Sequence, residues 1–575
     1  MNNKNLKINQ KSEDSLRVVG IDLGTTNSLI SICLPFNDES SESTYNDDNE
    51  QDYVINYDVE IMDDEYQDVE LRNKVEIIAK CSSSVYYTQN GKIIVGEEAE
   101  KEESCLRSIK RLMGLGLKDI TANDSNYTKN NKYREFNIDF NLSNESIIYI
   151  LCSDHKSRTP IEISSDILKY LKEQAETKLK MKLDNAVITV PAYFDDAARS
   201  ATRVAAYMAG FNVLRLINEP TSAAIAYGSL DKKNCDGKYF LVYDLGGGTF
   251  DVSIVKSQYG VLEVFATGGI RDLGGNDFDK ALADHYKINN LQLARSIREW
   301  LSENDSFEFK DILKFNDTKS ISSTRSITEI LNNLKKQKEI LPIIKKSDLE
   351  EICIEIVQKT IRIMQSVIDD AKIDINDIEE IILVGGTTRM PMIKKIISDS
   401  FFKKLKNNIN PDDVVAIGAG IQAGALSVNS GILLLDVNPL TLGIEVANGC
   451  VDQIIPRNTP IPSIIKKSFG LYEDNQELVK IHVVQGESDL VKECRSLAKF
   501  SFKCSEGCSK ENDRIEITFC LDVNGILTVT AQERKNGIPW GQIKEITIKP
   551  SYGLDSEIID NLLKNKNINN NDILF

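Results

Sequence analysis

Val18-Val19-Gly20-Ile21-Asp22-Leu23-Gly24-Thr25-Thr26, near the start of the chain, recurs as Leu241-Val242-Tyr243-Asp244-Leu245-Gly246-Gly247-Gly248-Thr249. Each copy is an apolar run of buried-strand type that ends in Asp, passes through a Gly turn and reaches Thr. A second apolar run follows each copy. The copies lie 222 residues apart, which marks a domain-scale duplication rather than a solenoid. Two related halves, each presenting a Gly turn and an Asp, point to one ligand gripped in the cleft between them. The expected class is therefore α/β, built twice.

Strand, Asp, Gly turn and Thr together form a phosphate device. Glycine allows close backbone approach, so successive N–H groups ring anionic oxygens, and the Asp at the strand end suits hydrated Mg2+. One copy alone serves a hairpin turn as readily; two copies in a duplicated chain do not. No GxxxxGK[ST] occurs, which excludes a P-loop. A third Gly pair, Ile381-Ile382-Leu383-Val384-Gly385-Gly386-Thr387-Thr388-Arg389, suits a nucleoside lying against the backbone with Arg389 stacked on its base. In Asn218-Glu219-Pro220-Thr221, Glu219 stands at a helix entrance, from which a carboxylate can orient water at a terminal phosphate. Lys110 is the candidate for neutralising phosphate charge.

Around these motifs lie 575 residues with a net charge of −18, which argues against a nucleic-acid or anionic-membrane binder. Asn37–Glu70 holds 14 Asp or Glu and no Lys or Arg, leaving only −4 for the remainder. That stretch, an insertion over about 37–72, reads as a flexible solvated loop, with a partner-binding loop as the alternative. Eleven cysteines without framework spacing and three histidines make a zinc site a poor reading and favour free thiols in a reducing compartment. The N-terminus carries no secretory signal, and the uncharged stretch Val414–Leu435 reads as a buried Ala/Gly-rich helix and linker rather than a membrane span. A cytoplasmic protein is expected. Residues 1–14 read as a frayed tail and 15–428 as the duplicated nucleotide-binding unit. Residues 429–437, with Leu433-Leu434-Leu435-Asp436, read as a linker. Short alternating runs with an Asp522-Val523-Asn524-Gly525 turn make 438–550 an all-β domain.

Gly20–Ser28, Lys110, Pro191-Ala192-Tyr193-Phe194, Asn218–Thr221, Asp244–Asp251, Gly385–Arg389 and Asn410-Pro411-Asp412 together resemble the 70-kDa heat-shock chaperones over about residues 15–555. The resemblance implies an actin-like ATPase domain followed by a β-sandwich that holds an extended peptide. It implies ATP or ADP with Mg2+, and K+, in the cleft. Asp22 and Asp244 would hold Mg2+ through water; Gly24, Thr25, Thr26, Asn27, Gly246, Gly247, Gly248, Gly269 and Thr249 would hold phosphates; Lys110 and Glu219 would serve hydrolysis. Arg298, Ser302, Gly385, Gly386, Thr387, Arg389 and Asp412 would face the adenosine, although Arg295 occupies the family's acidic position on that helix. Phe469, Tyr472, Val479 and Ala447 would line the peptide groove, Ala447 replacing the family's usual Met. Pro191, Arg199, Arg215, Asn218 and Leu433–Asp436 would couple the two domains.

Phe194-Asp195-Asp196, Ala266-Thr267-Gly268-Gly269, Cys494-Arg495-Ser496-Leu497-Ala498 and Lys549-Pro550-Ser551-Tyr552-Gly553-Leu554 look more like the iron–sulfur-assembly branch of that family (the HscA type) than the general DnaK type. That likeness implies a monomer working with a J-domain co-chaperone on an iron–sulfur scaffold peptide. A DnaK-type folding chaperone and an actin-like small-molecule kinase are the alternatives. Only 21 residues follow Leu554, so 551–575 reads as a lid remnant and fast peptide release is expected.

Overall fold

The computed structural model describes residues 17–35, 54–61, 69–121, 133, 135–145, 147–230, 237–258, 261–288, 290–308, 343–406, 409–427 and 433–547. The expected frayed tail, the expected linker before Leu433 (429–432) and the expected lid remnant lie outside these residues.

The first copy of the repeat is strand β1 (Val18–Leu23), and the run after its Gly turn is β2 (Asn27–Pro35). Strands Val54–Ile61 (β3) and Val69–Ser82 (β4) form a hairpin that continues the same sheet. Beyond β1 lie Asn185–Val190 (β5) and Asn212–Asn218 (β6), giving the order β6-β5-β1-β2-β4-β3. The second copy repeats the plan: Lys238–Leu245 (β7), Phe250–Gln258 (β8) and Val261–Ile270 (β9), with Ile378–Val384 (β10) and Lys404–Lys406 (β11) on the other side. In both sheets the central strand has an antiparallel partner on one side and a parallel one on the other. Central strands buried on both faces require continuous apolar runs, and that is how both copies read.

Helices cover the sheets. Pro160–Leu179 (α1) begins on a Thr159 capping box with Glu162, and Asp196–Met208 (α2) is capped by the Asp195 side chain on the Ala198 N–H at 2.9 Å. Glu219–Leu230 (α3) follows β6 without a loop, and Leu291–Glu303 (α4) flanks the second sheet. The uncharged stretch forms helix Val414–Ser427 (α5), wholly buried through Ala425 and pressed on β1 and α3. Glycine permits that approach: a Cβ on Gly20 would come 2.2 Å from the Gly420 nitrogen, and one on Gly418 would come 1.8 Å from the Ser222 carbonyl oxygen.

Two expectations change. Part of the acidic stretch is strand: residues 54–61 and 69–72 lie in the β3–β4 hairpin, because alternating Val, Ile, Tyr and Leu among the acids satisfy a period of two. The end of the expected linker is strand as well. Leu433–Val437 (β12) adds in parallel to β9, pairing Leu433–Leu435 with Val261–Glu263. An apolar segment beside an open strand edge satisfies its backbone donors by joining the sheet.

The rear is a sandwich of two four-stranded antiparallel sheets. One holds Cys450–Ile455, Leu442–Val446, Leu478–Gln485 and Arg495–Lys503; the other holds Ser463–Gly470, Asp513–Leu521, Leu527–Lys535 and Ile538–Thr547. Alternation places Ile515, Ile517, Phe519 and Leu521 inside. Among the described residues, no helix is long and apolar enough to cross a membrane.

Gly418→Ala is expected to lower the unfolding free energy by about 1–3 kcal/mol through overpacking, despite the better helix propensity of alanine. Denaturant unfolding reads this directly, and an unchanged midpoint would refute the tight α3–α5 contact.

Candidate nucleotide-binding site

The two repeated turns meet across a cleft of about 640 Å³. Its walls include Asp22, Gly24, Thr25, Thr26 and Asn27 from the first turn and Asp244, Gly246, Gly247 and Thr249 from the second. The turns interlock: a Cβ on Gly247 would lie 2.2 Å from Thr26 Oγ1, and one on Gly248 would lie 2.6 Å from Thr25 Cγ2. Backbone bonds Gly275 N to Gly246 O and Asn276 N to Gly247 O, each 2.9 Å, hold the second turn. Lys110 and Glu219 enter from the first lobe, and their side chains form a buried ion pair.

The electrostatics are dominated by burial. Desolvation raises the Asp22 carboxyl above its ordinary value, although Lys110 and a 2.9 Å bond from Thr189 Oγ1 oppose the shift. Asp244 is raised well above its ordinary value by burial and by Glu219, Asp251 and Asp22. Glu219 is pushed up to about 7 by burial, against the pull of Lys110. Burial works against the Lys110 charge too, but Glu219, Asp22 and Asp244 outweigh it and hold the ammonium above its ordinary value. Three carboxyl groups thus share one ammonium, a donor set short of positive charge. Among the described residues no cluster of three or more His, Cys, Asp or Glu is placed to ligate a metal directly. Asp22 and Asp244 therefore fit a hard cation held through its waters rather than a bare one.

The far wall takes the remaining candidates. Gly385, with φ +83°, and Gly386 follow β10; a Cβ on Gly385 would lie 2.3 Å from Leu245 O, and one on Gly386 would lie 2.7 Å from Asp412 Oδ1. Thr387 Oγ1 donates to Gly246 O at 2.9 Å, tying this turn to the phosphate turn. Arg389 donates to Asn410 Oδ1 at 2.6 Å and to Asp412 Oδ2 at 2.7 Å. Helix α4 presents Arg295, Arg298 and Ser302 to the cleft, with Arg298 paired to Asp279 at 2.5 Å. Asp279 and Asn276 also line the cleft and were not singled out from sequence; the Gly-Asn-Asp-Phe-Asp run after Gly274 is their only local signal. Two candidates fall outside the wall. Gly248 sits beside it, accepting from Arg111 Nε at 3.1 Å, and Gly269 lies in β9 where a Cβ would strike Phe250 O at 2.5 Å.

The coupling candidates assemble elsewhere. Asp436 Oδ2 accepts from Asn218 Nδ2 at 2.8 Å and from Thr221 Oγ1 at 3.3 Å, while Arg199 donates to Asn218 Oδ1 at 2.6 Å. Buried Pro191 precedes this cluster at the end of β5, and burial lowers the Arg215 guanidinium against the pull of Asp436. Leu434 is buried in β12. In the sandwich, the strand register places the Ala447 turn and the start of Leu478–Gln485 at one end. Phe469 and Val479 pack half-buried on the core there, while Tyr472 and Ala447 are exposed. The opposite end touches both lobes: Leu216 N donates to Asn524 Oδ1 at 2.9 Å, Arg495 pairs with Asp195, and Arg457 pairs with Asp370 at 2.7 Å.

The architecture is a duplicated α/β unit whose two Gly turns interlock across a cleft, joined to a β-sandwich seated on both lobes. A family model described as Hsp70 protein matches residues 62–572. A chaperone protein HscA homolog from Herminiimonas arsenicoxydans is 39% identical over 555 residues, covering 95% of this chain and 80% of that protein. The HscA homologs of Laribacter hongkongensis and Vibrio vulnificus are 38% and 37% identical, each over 95% of this chain and 80% of their own length. The chain belongs to the Hsp70 family, whose members are ATP-hydrolysing chaperones. Within that family it is HscA-like.

If Glu219, held near 7 by burial, orients the attacking water as its ionised carboxylate, kcat/KM for ATP hydrolysis is expected to fall below pH 7 by about tenfold per unit. Steady-state rates between pH 5.5 and 8.5 test this, and a flat profile would refute it. Lys110→Ala is expected to lower kcat by about 10²–10³, the scale of losing one positioned charge donor.

Proposed function

We propose that this chain is an ATP-driven chaperone of iron–sulfur cluster assembly in the cytoplasm, binding an extended segment of a scaffold protein at the end of its sandwich that carries Phe469, Tyr472 and Val479. ATP and Mg2+ would occupy the cleft between the duplicated actin-like halves. Bound there, the nucleotide would supply a phosphoanhydride bond whose cleavage changes the charge between the two turns. Thr25, Thr26 and the Gly246–Thr249 backbone would cradle the phosphates, Asp22 and Asp244 would hold the ion's waters, and Lys110 would balance developing charge. Glu219 would orient the attacking water, and Gly386, Arg389 and Asp412 would bound the nucleoside.

The observation that carries the coupled cycle is a covalent adjacency. Asn218 holds the β12 carboxylate of Asp436, and the next residue, Glu219, pairs with Lys110 in the cleft. A change at Glu219 is therefore felt one peptide away from the strand that leads into the sandwich. An effector that binds one arrangement better shifts the other site by the same coupling free energy. A J-domain partner would act where Arg215, Asn218 and β12 meet. The seating of the sandwich on both lobes favours this reading over a small-molecule kinase, which has no use for the rear domain.

ATPase stimulation by a peptide panel separates the readings. A selective response to a Leu-Pro-Pro-Val-Lys scaffold segment supports the iron–sulfur role, a broad response supports a DnaK-type chaperone, and phosphate transfer to a metabolite supports a kinase. Asp436→Asn is expected to cut stimulation by about tenfold, within the usual range of coupling factors, while leaving the basal rate. Unchanged stimulation would count against the Asn218–Asp436 link.

A further inference from the structure

The seat of the sandwich on the first lobe contains a carboxyl group that the nucleotide chemistry does not use. Asp196, in the first turn of α2, is 3% exposed, and a strand of the sandwich lies against it. Oδ1 accepts the backbone N–H of Leu527, the first residue of a sandwich strand, at 3.1 Å. Oδ2 is buried with no hydrogen-bond partner among the described residues. A buried carboxylate oxygen without a donor costs more than the neutral carboxyl does.

The neighbours do not supply the missing positive charge. On its own helix, Asp195 precedes it, already paired with Arg271 at 3.0 Å and with Arg495 of the sandwich. Arg199, one turn on, spends its guanidinium on Phe194 O at 3.1 Å, Ala192 O at 3.1 Å, Asn218 Oδ1 at 2.6 Å and Asn524 O at 3.4 Å. From the sandwich, the facing turn brings another carboxyl group, Asp522, whose Oδ1 accepts from Asn524 N and Ile526 N at 2.8 Å each.

We propose that docking of the sandwich onto the first lobe is proton-linked, with Asp196 protonated when docked and ionised when the sandwich leaves. This rests on the coupled cycle above, and it makes pH a second input to that cycle beside the nucleotide. Burial, then Asp195 and Asp522, push the docked Asp196 carboxyl up to about 7, against the pull of the Leu527 N–H and Arg199. Undocked, the carboxyl is a helix first-turn Asp in water with an ordinary value near 4. The sign follows: a group whose docked pKa is the higher one favours docking at low pH, and that advantage is lost as pH rises through the docked value. The docking constant therefore falls about tenfold between pH 6 and pH 8 and flattens above. Deprotonation under fixed nucleotide loosens the seat that β12 and Asn524 share.

The test uses the full chain with one dye on the sandwich and one on the first lobe, with ATP or ADP saturating, from pH 5.5 to 8.5. Nucleotide-dependent docking that weakens about tenfold from pH 6 to pH 8, and loses that dependence in Asp196→Asn, supports the proposal. Docking that is flat with pH, or an Asp196→Asn chain that keeps the wild-type dependence, overturns it. Absence of any nucleotide-dependent docking at every pH overturns the coupled cycle instead. As a check independent of the variant, calorimetry of ATP-induced docking in buffers of different ionisation enthalpy should show about half to three-quarters of a proton taken up at pH 6.5–7 beyond that of a sandwich-free seat opened by Asn524→Lys. Equal uptake in the two chains also overturns it.

Discussion

The structure depends on one buried carboxylate, that of Asp436. Desolvation raises its proton affinity above the ordinary value, and the Val437 N–H, Arg199, Asn218 and Thr221 oppose that burial in part. Those bonds tie the strand Leu433–Val437, the end of β6 and the first turn of α3 to one carboxyl group. From that cluster the constraint spreads in two directions. Toward the cleft it reaches Glu219 through one peptide bond; toward the sandwich it reaches Asn524 through Arg199.

The cleft and the seat share a physical style. In both, carboxyl groups are buried in excess of their cationic partners, and in both the result is a group poised near neutrality rather than near 4. Glu219 and Asp196 each reach about 7 by burial, one facing the phosphate turns and one facing the sandwich. Such groups are costly to keep and are concentrated where charge or water must change during function. The end of the sandwich proposed to hold a peptide is different: Phe469 and Val479 rest on an apolar core, while Tyr472 projects into solvent. Under the proposed function, recognition there would follow from shape and apolar burial with an adjacent strand edge, and the coupling would lie at the opposite end.

Much of the cleft was legible because its residues are contiguous in the chain. Asp22–Asn27, Asp244–Thr249 and Gly385–Arg389 are local turns, and a turn that needs Gly and presents Thr declares itself in sequence. Gly269 was not separable from them: it is a Gly beside a phosphate motif whose absent side chain serves strand crossing at Phe250. Asp279 and Asn276 were missed because they reach the cleft from a helix with no repeat signature. The acidic stretch misled for a related reason. Net charge argued for a solvated loop, while the alternation beneath it was strong enough to extend the sheet as a hairpin.

The sequence by itself determined the duplication, the phosphate turns, the apolar central strands and the all-β character of the rear, since each is written in local period and turn chemistry. Only the tertiary structure decided where the apolar Leu433–Leu435 segment goes, because a strand edge on β9 must be available to receive it. It alone paired Arg495 with Asp195, some 300 residues away, and buried Asp196 under Leu527. Those contacts join ordinary surface residue types with no spacing rule between them. Their significance comes from desolvation, and burial is a property of the assembled molecule rather than of any stretch of chain.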